Sequence, residues 1–139
     1  RTGVATTDAQ YEQLWVTSGV TANRPSVDFE TEIVVWFGAV YGSDCAIRMD
    51  DVIVDLEWSL VYGEFVVPGN PQMCHDDANS EAYLVAVDRA VLPSPPFAVQ
   101  LGRGDPPGGV PAGRTIVSAD LWAPGSTATD AEMASDPEG

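Results

Sequence analysis

Ile33-Val34-Val35-Trp36-Phe37 is a run of five apolar residues with no polar residue inside it. Successive side chains of a strand point to opposite faces, so a strand with one wet face alternates apolar and polar. A run without alternation predicts a central strand buried on both faces. Whatever packs on the two sides must come from the rest of the chain.

Upstream, a helix is predicted from Thr7 or Asp8 to about Ser18, since a side-chain oxygen at its start can accept from a free backbone amide. Tyr11, Leu14 and Trp15 fall on one face of it, and Gly19 is a suitable stop. Residues 1–7 read as a short lead-in, and Asn23 to Ser26 as a turn.

Downstream, Gly38 and Gly42 flank the end of the central strand. From Cys45 to about Trp58, Ile47 and Met49 are apolar at odd positions, whereas Val52, Val54, Leu56 and Trp58 are apolar at even ones. The phase flips at Asp50-Asp51, which predicts an inserted residue: a bulge, or a tight turn between two strands. Leu60 to Val67 is a further β-prone run, ended by Pro68-Gly69-Asn70-Pro71. Gln72 to Glu81 is polar. Tyr83–Val87 and Phe97–Leu101 read as strands, the second with one buried face, joined by the stiff Leu92-Pro93-Ser94-Pro95-Pro96 connector. Gly102 to Gly113 reads as a loop, and Thr115-Ile116-Val117 as one more short strand.

The expected fold is therefore mainly β: a small sandwich-like or open-barrel domain of five to seven strands with one N-terminal helix. One domain covers residues 1–123, with its core at about 8–103, and 124–139 form a flexible acidic tail. Ile33, Val35, Trp36, Phe37, Val54, Val85 and Phe97 are the expected core. Trp36 and Trp58 fall at apolar strand positions and belong with it.

Six arginines and no lysine face 21 acidic residues, for a net charge of -15. Such a surface repels polyanions, which excludes nucleic acid as the natural partner class. No apolar run reaches the length of a membrane-spanning helix. Cys45 and Cys74 are the only cysteines. Paired, they suit an oxidising compartment, so a secreted or cell-envelope protein is expected. A start at Arg1 instead of Met agrees with a signal peptide removed upstream, although any cut in a longer chain leaves the same start.

Catalytic candidates are few. His75 is the only histidine, lies in a polar stretch beside Cys74, and has no G-x-S-x-G elbow to serve, so no catalytic residue is assigned. Zinc needs three or four ligands, and adjacent Cys74 and His75 make a poor start. No cofactor is implied. Asp44, Asp50, Asp51 and Asp55, with Asp76 and Asp77 across the expected disulfide, form the candidate cation cluster, because hard cations take converging carboxylates. No D-x-[DN]-x-[DN]-G loop accompanies them. Trp122 sits in a polar, Pro-rich segment and is the candidate contact residue.

The helix with Tyr11 and Trp15, the segment Val27-Asp28-Phe29, the strand Ile33–Phe37, the region after Gly42, and Tyr83–Val87 with Phe97–Leu101 together resemble the C-terminal domain of PrcB-type proteins. These are accessory subunits of bacterial surface protease complexes; similar secreted bacterial proteins share the pattern. The resemblance covers roughly residues 8–103. It departs at Tyr41-Gly42-Ser43-Asp44-Cys45, where that family tends to show a Gly-Gly-Tyr-like turn. It implies a non-catalytic module that contacts another protein, and it transfers no active-site residue. A carbohydrate- or small-ligand-binding module, including one for calcium, is the alternative, and a hydrolase the third reading.

A Cys45–Cys74 bridge closes a loop of about 30 residues, worth roughly 3–4 kcal/mol in chain entropy. Native protein treated with a thiol-alkylating reagent should show no mass increase until it is reduced. Alkylation of the unreduced protein would show free thiols.

Overall fold

The computed structural model describes residues 1–41, 48–66, 79–102, 113–122 and 134–135. In chain order these form β1 (Thr2–Ala5), α1 (Asp8–Ser18), β2 (Glu32–Tyr41), β3 (Arg48–Asp55), β4 (Leu60–Val66) and β5 (Asn79–Asp88). A 3-10 turn at Arg89–Val91 follows, then β6 (Phe97–Gln100), β7 (Thr115–Val117), α2 (Ala119–Trp122) and the two-residue β8 (Ala134–Ser135). The strands make two four-stranded sheets, ordered β5-β2-β1-β8 and β3-β4-β6-β7. Among the described residues neither sheet closes into a barrel. All pairings are antiparallel except β4 with β6.

The apolar run explains the layering. Ile33, Val35 and Phe37 join Val4 in a core shared with Val61, Phe97, Val99 and Val117 of the second sheet. Val34 and Trp36 point the other way, and with Ala5 they pack against Tyr11 and Leu14 of α1. The first sheet is thus the middle of three layers, helix on one side and second sheet on the other. β5 divides in the same manner: Tyr83, Val85 and Val87 face the sheets' shared core, Ala82 and Leu84 the helix.

The helix has the expected bounds. The Thr7 side chain caps it by accepting from the Gln10 amide, and Gly19 ends it at φ 78°, a left-handed conformation that glycine adopts without a side-chain clash. Tyr11 meets Trp15 and Phe29 edge-on at 5.9 and 5.8 Å between ring centres. Val27 and Phe29 pack against this layer. Between them the Asp28 carboxylate accepts from the Glu30 amide at 3.0 Å and makes a tight turn into β2. Burial pushes the Tyr11 phenol above its ordinary value, against the pull of Arg24, whose guanidinium lies 4.8 Å from the ring centre.

The phase flip is a bulge. Met49 pairs with Phe65 and Asp51 with Glu64, so Asp50 is the extra residue. Met49, Val52 and Val54 can then all pack on the shared core despite their mixed spacing. Val54 and Val85 are only half-buried, because β3 and β5 are edge strands with a neighbour on one side.

Four expectations need correction. Residues 2–5 are not a lead-in but β1, fully enclosed between β2 and β8. Its small and hydroxyl residues conceal the strand, because Thr2 is buried by hydrogen bonding instead of by being apolar. Its Oγ1 lies 2.8 Å from the Thr115 hydroxyl and within reach of the Val99 and Gly113 carbonyls. β6 is buried on both faces and not one: Phe97 and Val99 enter the core between the sheets, and Ala98 and Gln100 on the opposite face are covered as well. Ala134–Ser135, placed in the expected tail, pairs with Thr2–Gly3; the remainder of 123–139 lies outside the described residues. Finally, Trp58 is in a turn and not in a core strand, as developed below.

Phe97 is almost wholly buried and meets the Trp122 ring edge-on at 5.8 Å. Phe97→Ala should cost about 3–5 kcal/mol by cavity formation, read from chemical denaturation. A loss under about 1 kcal/mol would contradict its place in the core.

Candidate functional site

Cys45, Cys74, His75, Asp44, Asp76 and Asp77 lie outside the described residues. Three members of the acidic cluster are described: Asp50 and Asp51, exposed on the bulge of β3, and Asp55 at its end. Asp50 pairs with Arg48 at 3.4 Å, and the Asp51 carboxylate accepts from the Val52 amide at 2.8 Å. Asp55 caps the following turn. Among the described residues no three His, Cys, Asp or Glu side chains converge as metal ligands. Trp122 is half-buried. Its ring packs on Phe97, and the Arg89 guanidinium lies 4.7 Å from its centre while donating to the Trp122 carbonyl. Burial lowers the Arg89 pKa from its ordinary value.

The residues the structure singles out are different ones. β3 stops at Asp55, and four residues turn back into β4. The Asp55 carboxylate accepts from the Trp58 amide at 3.2 Å, a side-chain bond that competes with continuing the strand. Ser59 completes the turn at φ 49°, in the left-handed region. Leu56 and Trp58, whose spacing matches the strand behind them, are therefore lifted into solvent at 66% and 67% exposure. Excess length was the available warning: a strand from Cys45 to Trp58 would be far longer than usual. Nothing in the sequence pairs this turn with β7.

Beside the turn is a slot of about 310 Å³ lined by Trp58, Ser59, Pro96, Phe97, Ala98, Arg114 and Ile116. Ile116 faces outward at 48% exposure, because its neighbours Thr115 and Val117 take the inward positions of β7. Arg114, one residue before the strand, makes no ion pair with any described residue. Its Nε is enclosed and has no hydrogen-bond partner. The result is an apolar slot with Trp58 and Ile116 on its rim and one cation that makes no ion pair among the described residues.

A second concavity, a groove of about 630 Å³, runs between the end of α1 and the β2–β5 pair. Thr17, Val20, Trp36, Gly38 and Glu81 are among its walls. Trp36 is only 5% exposed, and its indole N–H has no partner. A Cβ on Gly38 would stand 2.9 Å from the Trp36 ring, so the glycine makes room for the indole.

Comparison with protein-family models, curated proteins and solved structures finds no match for this chain.

If the Trp58 ring is surface and not core, removing it should leave stability nearly unchanged. Trp58→Ala should shift unfolding free energy by no more than about 0.5 kcal/mol in denaturant melts. A loss of several kcal/mol would place the ring in the core.

Proposed function

We propose that this domain is a non-catalytic contact module of a secreted or cell-envelope protein, and that it binds another protein through the patch around Trp58. The carrying observation is the contrast among the four tryptophans. Trp36 is buried, Trp15 and Trp122 pack against neighbouring rings, and Trp58 alone stands largely in solvent, with exposed Leu56 two residues before it in the turn and exposed Ile116 across the slot. Exposed aromatic residues are costly to leave wet, and Trp is enriched among residues that dominate binding energy. A single Trp among aliphatic side chains suits a protein anchor better than the aligned aromatic platform a glycan needs.

The charge of -15 adds a second property. It favours a partner with a basic surface, whose association is steered by the field and slowed by salt. A non-catalytic contact role is also what the resemblance to PrcB-type domains implies. The groove beside Trp36 supports the alternative small-ligand reading, since its volume falls in the range of small-molecule sites.

A photo-crosslinking amino acid placed at Trp58, with Glu12 on the exposed face of α1 as control, tests the proposal in the envelope fraction of the organism that makes the chain. Position 58 should yield one discrete protein adduct, weakened by added salt, and position 12 none. Trp58-dependent retention by polysaccharide gels without a protein adduct would overturn the protein-contact reading in favour of a glycan.

A further inference from the structure

The slot beside Trp58 combines two demands that rarely occur together. Its walls are apolar, from Pro96, Ala98, Ile116 and Trp58. Its one charged group, Arg114, is unpaired with any described residue and holds an enclosed Nε with no acceptor. An enclosed donor without a partner carries a desolvation cost that an incoming acceptor can remove. The guanidinium offers two parallel N–H groups, which match a carboxylate in bidentate geometry. At about 310 Å³ the slot admits a residue or two, not a long segment.

An Asp or Glu side chain would satisfy the arginine but leave the apolar walls unmatched. An internal Leu or Ile would do the reverse. Within a single residue, an apolar side chain and a carboxylate coincide only at the end of a polypeptide. Building on the protein-contact reading above, we infer that the slot receives the C-terminal residue of the partner, with an aliphatic side chain against Ile116 and Ala98, which pair across β6 and β7, and its α-carboxylate on Arg114. The last torsions of the Arg114 side chain would turn Nε into the slot, so that Nε and a terminal nitrogen both donate to the carboxylate. Trp58 then covers the bound residue from the turn side. Terminal-carboxylate capture is an established mode of peptide recognition, usually built from backbone amides. Here a single arginine takes that role.

The test uses N-acetyl-leucine and its amide, N-acetyl-leucinamide, as probes on the intact chain. The indole N–H resonance of Trp58, assigned through Trp58→Phe, reports occupancy by NMR titration. The acid should shift it saturably, with a dissociation constant on the order of millimolar for so small a probe. The amide, identical in shape but uncharged, should bind at least about tenfold more weakly, the loss of one charge-assisted pair. Arg114→Gln should abolish the acid's advantage while leaving the amide's weak shift in place. Equal shifts by acid and amide, or no saturable shift by the acid, would overturn the assignment. The acid–amide comparison needs only the native chain, so it decides the matter even if Arg114→Gln fails to fold. The crosslink at position 58 does not depend on Arg114. An adduct there together with equal binding of acid and amide would remove this inference and leave the contact surface standing.

Discussion

β2 is the constraint on which the structure turns, because it has to supply side chains to two cores at once. Ile33, Val35 and Phe37 belong to the contact between the sheets, and Val34 and Trp36 to the contact with α1. Neither half can be lost without exposing one whole face of the middle sheet. The order β5-β2-β1-β8 follows from this. The strand with apolar residues on both faces lies inside, and the neighbours on either side are sorted into the same two cores by the alternation of their own side chains.

Such a middle sheet leaves little solvent for polar groups, and there the threonine hydroxyls and the Gln10 carbonyl oxygen bond to protein partners. Thr2, Thr6 and Thr115 are fully buried, and each has a partner from a distant segment or a neighbouring turn. The Thr6 hydroxyl reaches the Leu121 carbonyl at 2.5 Å, which ties α2 to the start of α1. The Gln10 carbonyl oxygen accepts from the Thr6 amide at 2.8 Å. These bonds fix where the last described helix and β7 sit against β1. Gly113, at φ 72°, belongs to the same seam: a Cβ there would stand 2.9 Å from the Arg1 backbone.

The sequence carries much of this plainly. The five-residue apolar run, the Thr7 cap, the Gly19 stop and the phase flip at Asp50-Asp51 each state a local physical requirement, and each is met in the fold. β1 was illegible because its burial is achieved by hydroxyl partners more than a hundred positions away, which no local pattern records. Trp58 misled for the opposite reason. Its spacing continues the strand, but the Asp55 carboxylate and the backbone at Ser59 end that strand early. The slot itself joins the β3–β4 turn to β6 and β7, and juxtaposition across such distances follows from sheet order alone. The cysteines and half of the acidic cluster fall outside the described residues, so their readings rest on composition and spacing.

The bulge at Asp50 has an effect beyond letting Met49 and Val52 face the same way. Among the described residues β3 is the last strand of its sheet, and an edge strand presents amides and carbonyls to any extended chain that approaches. The inserted residue breaks the regular spacing of those groups, and Arg48, Asp50, Asp51 and Asp55 stud the strand with charge. A second copy trying to extend the sheet there would meet a mismatched ladder and its own carboxylates. The residue that repairs the inward pattern thus also works against edge-to-edge pairing along that strand.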